Sequence, residues 1–376
     1  MKRFDFLIAS CQRWDVGHYA AWRDAAALQL DAVLFMGDYI YEYPAAPNAV
    51  RPTHTLTKVR TLADYRNRYA LHKSDPHLQA AHAAAPWLLV WDDHEVDNDY
   101  ASLQGQDLQV DFATQRAAAY RAYWEHMPLP KAARPVNGEM RMYGSLDWGR
   151  LARILLLDDR QYRDVQVCPK PGKGGSNTLR TSQCPDFADP RRTLLGRAQE
   201  DWLAQSWSTD RPWNLLAQQT LMARFNWRSA ADGGPEHWTD GWDGYAPARK
   251  RMLDVVAQKR LPGAVVLGGD VHANYVASLK ADFDRPDSAT IASEFCGTSI
   301  SSLGLPQDRL DRALPLNPHV LHGRSDQRGT VRFSLEPKAL HAELRVVADA
   351  RLHDSPVTAG ARFVVEAGRP GPQRAA

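Results

Sequence analysis

The sequence predicts an α/β fold with a buried sheet core, and two patterns support this prediction. Short apolar runs, bounded by turn residues and typical of buried strands, recur along the chain and stop abruptly at polar residues. Segments with helical periodicity lie between several of these runs. Because strands that alternate with helices are typical of a sheet covered by helices, an α/β core is expected.

The elements follow from these patterns in chain order. The apolar runs predict buried strands at residues 4–10, 32–37, 87–91, 152–157, 213–217 and 263–269. The helical periodicity predicts helices at residues 19–30, 62–69, 112–126 and 198–207. Near the C-terminus, apolar and polar side chains alternate at residues 329–337, 341–349 and 361–368. This alternation predicts antiparallel strands that complete a sheet.

Composition and organisation exclude several classes of protein. Lys and Arg number 46 against 44 Asp and Glu, so a formal net charge of +2 gives no sign of a nucleic-acid-binding surface. No apolar run approaches the ~18–20 residues that a membrane span needs. Without a linker or repeat, we expect one domain at residues 1–368 and a disordered tail at 369–376. The start has no apolar signal region, which favours a cytoplasmic location.

The four cysteines bear on the cellular compartment. Cys11 and Cys296 each end an apolar run, whereas Cys168 and Cys184 flank a Gly-rich loop. The flanking pair is open to two interpretations at this point. It closes the loop as a disulfide in a periplasmic or secreted protein, or it remains as two free thiols on a surface loop.

Chemically capable residues follow the predicted strands. Because ligands gather beyond the carboxyl ends of strands in such sheets, we expect these residues to face one site. The strand-end residues of this kind are Cys11, Asp38, Tyr41, Asp92, Asp93, His94, Asp158, Asp159, Arg160, Gln218, Gln219, Asp270 and His272.

Three short motifs carry the chemistry. GDYIYEY at residues 37–43 places a Gly before Asp38, WDDHEVDNDY at 91–100 crowds acidic side chains around His94, and GGDVHAN follows an apolar run at 268–274. So many carboxylates close together need cations or solvent to neutralise them. A zinc-protease HExxH helix is excluded because Asn98 stands where the second His belongs. Neither a phosphate-binding P-loop nor a nucleophile elbow is present in the required order.

Together these motifs resemble the PhoD-like alkaline phosphatase family of the metallophosphatase superfamily. The usual superfamily pattern is DxH, GDxxD, GNHE, a lone His and GHxH. Here Cys11 stands in the first segment, Tyr41 replaces the second Asp, Asp93 replaces Asn, and Asp270 replaces the first His of the last motif. The resemblance extends from residue 4 to about residue 368. It implies a four-layer α/β/β/α sandwich, and the N-terminal β-domain and twin-arginine signal usual in secreted members are missing.

The resemblance also implies two metal ions held by unlike ligand sets. Ferric iron is expected at one set, and the phenolate suits this strongly charged ion. The other set offers oxygen ligands, which suit calcium or magnesium better than zinc. Asp38 is expected to bridge the two ions. The iron set consists of Cys11, Asp38, Tyr41 and His272, and the calcium set of Asp38, Asp93 and Asp270 with Asn98 or Gln219.

The expected reaction is hydrolysis of a phosphoric ester by in-line attack of a metal-bound hydroxide on phosphorus. His94 is the expected proton donor, with Asn98 beside it. Arg160 either clamps a phosphoryl oxygen or serves a structural ion pair. The substrate is a small phosphate ester or a phospholipid-type ester, and Trp227, Trp238 and Trp242 are expected to line an acceptor pocket. A phospholipase D-like diesterase and a metal-binding protein without activity remain alternatives.

Overall fold

Two seven-stranded sheets organise the computed structural model, which describes residues 2–53, 55–285 and 287–375. The strands are β1 (Phe4–Ala9), β2 (Ala32–Phe35), β3 (Trp87–Leu89), β4 (Gly144–Trp148), β5 (Ala152–Leu156), β6 (Thr178–Arg180), β7 (Trp213–Ala217), β8 (Glu236–Trp238), β9 (Ala264–Gly268), β10 (Asn274–Lys280), β11 (Thr290–Cys296), β12 (Val320–Arg324), β13 (Arg328–Leu335), β14 (Ala339–Val347), β15 (Val357–Glu366) and β16 (Arg369–Ala375). The helices are α1 (Ala20–Ala27), α2 (Leu62–Lys73), α3 (Pro76–Ala84), α4 (Phe112–His126), α5 (Arg197–Ser206), α6 (Ala246–Lys259) and α7 (Gln307–Ala313).

Both sheets combine parallel and antiparallel strands, with the parallel strands at one end of the first sheet and in the centre of the second. The first sheet has the order β16-β15-β14-β13-β1-β2-β3, in which β1, β2 and β3 are parallel. The second has the order β12-β10-β11-β9-β7-β5-β4, in which β11, β9, β7 and β5 are parallel. A small separate pair joins β6 to β8. The parallel strands bring their carboxyl ends to one edge of each sheet, where ligands are expected.

Alternating side chains divide the apolar core into layers. Phe6 and Ile8 of β1 face Leu215 and Leu267 of the second sheet, in a cluster between the sheets. Leu7 points the other way and packs with helices α1 to α4, while other side chains of the second sheet pack with α5, α6 and α7. The period of two in strand side chains therefore gives each sheet one face for its partner sheet and one for helices. The order of layers is α/β/β/α, which confirms the predicted fold class.

The predicted elements are found with small shifts at their ends. The helix at residues 112–126 is confirmed to the residue, and the helix at 198–207 begins and ends one residue earlier. Helices α3, α6 and α7 and strands β4, β6, β8, β10 to β12 and β16 were not predicted. The C-terminal antiparallel strands complete the first sheet as expected, through the pairing of β13 with β1.

The expectation of a disordered tail at residues 369–376 is wrong. Arg369–Ala375 forms β16, which pairs antiparallel with β15, and Ala376 lies outside the described residues. The backbone N–H of Gly371 also donates to Ser293 Oγ of the second sheet at 3.0 Å. Backbone pairing at a sheet edge is largely independent of side-chain polarity, so this polar segment can form a strand.

Two observations concern the cellular environment. Cys168 and Cys184 form a disulfide, as one of the two interpretations expected, and the alternative of two free thiols is wrong. Among the described residues, no helix combines the length and the apolar character that a membrane crossing requires.

Candidate active site

The candidate ligands lie directly beyond the carboxyl ends of parallel strands from both sheets. Cys11 follows β1, Asp38 follows β2, and Asp270 and His272 follow β9. All four have left-handed backbone conformations, with φ of 59°, 60°, 66° and 52°, respectively. Residues other than glycine rarely adopt this region, and such strain is concentrated at functional sites. The backbone therefore turns sharply where each strand presents its polar side chain.

Gly37 and Glu95 hold the turn after β2 against the loop after β3. Gly37 has a φ of 103°, and a Cβ there would lie 2.6 Å from the backbone nitrogen of Asp92. The buried Glu95 carboxylate accepts backbone N–H groups from Asp38 at 3.0 Å, Tyr39 at 2.5 Å and Asp92 at 2.8 Å. Glu95 was not among the predicted site residues, and its place in the WDDHEVDNDY motif is the only sequence signal for it.

The structure brings together the four residues of the expected iron set. One ligand atom each from Cys11, Asp38 and His272 lie within 4.8 Å of one another. The Tyr41 hydroxyl lies 2.8 Å from Asp38 Oδ2 and 3.1 Å from His272 Nε2. His272 Nδ1 lies 2.7 Å from the carbonyl oxygen of Leu303, which leaves Nε2 to face the cluster. Holding one ring nitrogen in this way is how proteins orient a metal-binding imidazole.

Burial shifts the pKa values of the side chains in the expected iron set. It raises the pKa of the Cys11 thiol and of the Tyr41 hydroxyl well above their ordinary values. It lowers the pKa of His272 to about 4, so the imidazole is neutral and able to bind a cation at neutral pH. A bound cation would favour the thiolate and phenolate forms, because metal binding deprotonates its ligands.

Asp38, Asp93 and Asp270 of the expected calcium set line one cleft, and the wider set contains buried oxygens that lack partners. Among the described residues, Asp38 Oδ1, Asp270 Oδ2 and Gln219 Oε1 are buried without a hydrogen-bond partner. Burial raises the pKa of Asp270 to about 7. Unpaired buried carboxylates are costly unless a cation or proton neutralises them. These oxygens therefore fit a metal ion, and Asp38 belongs to both ligand sets.

His94 lies against the iron set and is held by a residue that the sequence analysis did not single out. Its ring packs on Tyr41 with ring centroids 4.1 Å apart, and its Nδ1 lies 2.7 Å from Glu42 Oε2. Burial lowers the pKa of His94, but the carboxylates of Glu42, Asp93 and Asp38 outweigh this and raise it well above its ordinary value. Glu42 stands inside the GDYIYEY motif, which was the only sequence signal for it.

The structure does not place Arg160 where it could clamp substrate. Arg160 is buried and lies behind the carboxylates of the second metal set. Its Nε donates to Asp92, its Nη1 donates to Asp240 Oδ2 at 2.6 Å, and its Nη2 lies 3.9 Å from both Asp93 Oδ1 and Asp270 Oδ2. The geometry favours the structural ion pair, the alternative left open above. No sequence pattern had indicated Asp240 as its partner.

The other expected site residues divide between the cleft wall and the core. Asn98 lines the cleft, and its backbone N–H donates to Glu42 Oε1 at 3.0 Å. Trp242 lines the cleft but is only 1% exposed, and its indole N–H donates to Gln218 Oε1 at 3.0 Å. Gln219 is fully buried and donates from Nε2 to two backbone carbonyls.

The cleft in front of these residues is about 430 Å³ in volume. Asp38, Asp93, His94 and Asp270 lie at its polar end. Its other walls are mostly apolar and aromatic, and Arg309 lies over the ring of Trp227 at 5.0 Å. The apolar and aromatic wall residues are Leu221, Phe225, Trp227, Trp238, Trp242, Val271, Tyr275, Leu303 and Leu305. The site thus combines a polar end of metal-ligand type with an apolar and aromatic chamber.

Known proteins are similar to this chain in sequence or in fold. Alkaline phosphatase D of Bacillus subtilis (strain 168) is 40% identical over 385 residues, which cover 99% of this chain. The chain spans 64% of the length of that relative. A purple acid phosphatase from yellow lupin seeds is 12% identical with a TM-score of 0.56, covers 95% of this chain and 54% of its own, and shares the fold alone.

Stronger similarity comes from one solved structure and from a family description. A solved structure of PhoD is 38% identical, with a TM-score of 0.91, over 100% of this chain and 72% of that one. The family described as PhoD-like phosphatase matches residues 6–344. The chain therefore belongs to the PhoD-like phosphatase family.

Proposed function

We propose that the protein hydrolyses phosphoric esters at a site holding two metal ions. Two clusters of potential ligand atoms share Asp38, and this observation carries the proposal. One contains Cys11 and His272, and the other contains Asp93 and His94. A protein that only stored metal would have no need of an oriented imidazole next to the ligands. Membership of a phosphatase family supports the same activity.

We propose that Cys11, Tyr41 and His272 hold iron and that Asp93 and Asp270 hold calcium, with Asp38 shared. The thiol, phenol and imidazole suit a transition metal, whereas the second set offers oxygens alone. Two bound cations would supply Lewis acidity and offset the charge that develops on the phosphoryl oxygens. The Gln219 side-chain oxygen adds a neutral ligand to the second set, which leaves that set's charge unchanged.

The protein's own groups orient the ester and move the proton. Because Glu42 engages Nδ1 of His94, Nε2 is the nitrogen available to the cleft. An N–H there would donate to a phosphoryl oxygen or to the leaving-group oxygen. Asn98 is placed on the same wall to contact the ester. Arg160 positions the carboxylates of Asp93 and Asp270 from behind and takes no part in binding substrate.

The chamber favours small phosphate esters whose organic group is apolar or aromatic, because stacking surfaces outnumber charged groups there. A phospholipid-type diester is the second candidate. It is favoured by Leu303 and Leu305 at the rim, whose side chains are 68% and 40% exposed. Apolar side chains at the mouth of a site suit acyl chains that remain partly outside it.

Turnover of p-nitrophenyl phosphate, bis-p-nitrophenyl phosphate and a short-chain phosphatidyl ester by metal-analysed protein tests these proposals. Release of p-nitrophenol is expected, and Asp38→Asn should abolish it and lower the content of both metals, because Asp38 serves both sets. Hydrolysis of the lipid alone would select the diesterase. A metal-loaded protein that turns over none of the three would make it a metal-binding protein without activity.

The proposed iron can be tested by colour. A phenolate bound to ferric iron absorbs visible light, so the purified protein should contain iron and calcium and show a visible band. Tyr41→Phe keeps the ring and removes only the hydroxyl, so the band should be lost or strongly shifted and activity should fall. Tyr43→Phe, which changes a neighbouring tyrosine outside the metal set, is the matched control. A colourless, iron-free and fully active wild type would contradict the assignment.

We also propose that the protein works in an oxidising compartment. The Cys168–Cys184 disulfide supports this, since structural disulfides are rare in reducing cytosol. Mass spectrometry of thiol-blocked, unreduced protein from fractionated cells should find the bond intact. Free thiols at both positions in the native fraction would favour the cytoplasm.

A further inference from the structure

A group of imidazoles lies away from the cleft, where two loops meet the start of α3. His77 is the second residue of α3, His353 and Asp354 lie in the turn between β14 and β15, and His18 precedes α1. One ligand atom each from His77, His353 and Asp354 lie within 4.8 Å of one another. The ring centroid of His353 lies 4.7 Å from that of His77 and 5.5 Å from that of His18. None of the four residues lines the cleft.

The ligand atoms of these side chains lie close together. His353 Nδ1 is 2.9 Å from Asp354 Oδ1, so these two atoms are near enough to bind one ion. His77 Nε2 is buried and has no hydrogen-bond partner among the described residues. A buried nitrogen without a partner calls for an explanation, and a bound ion provides one.

The charge state suits a cation as well. Burial lowers the pKa of both His18 and His77, so both rings are neutral at neutral pH. Asp354 is an exposed carboxylate, and its nearest cation is Arg23, with Nη1 3.2 Å from Oδ1. The second carboxylate oxygen remains available. The carboxylate thus offers one negative charge to a cation, which Arg23 partly offsets.

We propose that His77, His353 and Asp354 form an accessory site for a divalent transition-metal ion of the zinc class, with His18 as the nearest further imidazole. Two imidazoles and one carboxylate form a ligand set typical of Zn²⁺, with a fourth position left for water or another side chain. The predominance of nitrogen ligands distinguishes this site from the oxygen-rich set in the cleft.

An ion there would join three segments that already touch. The His18 backbone N–H donates to the Ala350 carbonyl at 2.6 Å, and Arg23 Nη2 donates to the Ser355 carbonyl at 2.6 Å. The metal would add a bond from this turn to the N-terminus of α3. Because an ion that binds only the folded state stabilises it, zinc should raise the melting temperature.

The test uses the metal-loaded protein after excess metal has been removed, with zinc chloride as the probe. Calorimetry and elemental analysis should find one further Zn²⁺ per chain in the wild type, together with a rise in melting temperature. Both effects should disappear in the double variant His77→Ala/His353→Ala. His341→Ala, an exposed histidine on β14 outside the cluster, is the matched control and should behave as the wild type does. Asp354→Asn should weaken zinc binding, because it removes the one negative charge of the ligand set.

The proposal would be overturned if the wild type took up no zinc beyond its original metal content, or if the double variant kept the additional ion. An equal loss of zinc binding in His341→Ala would also overturn it. Hydrolysis of p-nitrophenyl phosphate by the double variant should equal that of the wild type. This readout separates the accessory site from the proposed active site.

Discussion

His94 is held by Glu42, a carboxylate 52 positions earlier in the chain, at an Nδ1–Oε2 distance of 2.7 Å. The surrounding carboxylates raise the pKa of this imidazole despite its burial, so it carries a proton when an ester enters the cleft. At the scale of single residues, this pair orients the imidazole that we propose as the proton donor.

We expect His94→Ala to slow turnover by ~10²–10⁴-fold, the usual effect of losing a catalytic acid or base. Metal content should stay close to that of the wild type, because His94 lies beside the ligand sets. Glu42→Gln keeps the side-chain shape and should weaken activity less, with a changed pH profile. Steady-state kinetics with elemental analysis measure both effects. A loss of metal in His94→Ala would instead identify His94 as a ligand.

At the scale of elements, the turn after β2 sets the position of the site. Gly37 adopts a conformation that side chains other than glycine rarely reach, and it lies against the loop that carries Asp92. Glu95 then receives backbone N–H groups from both loops, which ties the end of β2 to the end of β3. The placement of Asp38 and Asp93 therefore depends on backbone packing as much as on their own side chains.

Gly37→Ala should lower the free energy of unfolding, by ~1–3 kcal/mol from the backbone conformation alone, and reduce metal content. The added Cβ would press on the Asp92 backbone and displace Asp38. Gly144→Ala is the matched control, since a Cβ there meets no atom within 4 Å. Urea unfolding and elemental analysis provide the measurements. Equal midpoints for the two variants would show that the turn tolerates a side chain.

At the scale of the whole molecule, the last strand joins the two sheets. β16 pairs with β15 of the first sheet and donates from Gly371 to Ser293 of the second. Removing it would expose the edge of β15, and exposed edges promote pairing between chains.

Deletion of residues 369–376 should therefore lower the free energy of unfolding by ~2–4 kcal/mol, at about 1 kcal/mol for each lost hydrogen bond. The shortened protein should also aggregate more readily. Arg374→Ala, which changes an exposed side chain within the same strand, is the control. Chemical unfolding and light scattering measure these effects. An unchanged unfolding midpoint after deletion would show that these residues do not stabilise the fold.

The sequence alone predicted much of the fold and the composition of the candidate site. Apolar runs ending at polar residues located β1, β2, β3, β5, β7 and β9, because the patterns that define short buried strands are local. The motifs around Asp38, Asp93 and Asp270 predicted which side chains would meet, since parallel strands bring their carboxyl ends to one edge.

Only the tertiary structure decided which charged groups belong to the site and which support it. Arg160 had two open interpretations, and its role follows from Asp92 and Asp240, which lie 68 and 80 positions away. Residues 369–376 were expected to be a disordered tail, whereas pairing with the edge of β15 makes Arg369–Ala375 a strand. Local sequence patterns indicate which face of a helix or strand is buried. They do not indicate which distant backbone group or carboxylate will contact that element, because this depends on how the two sheets pack.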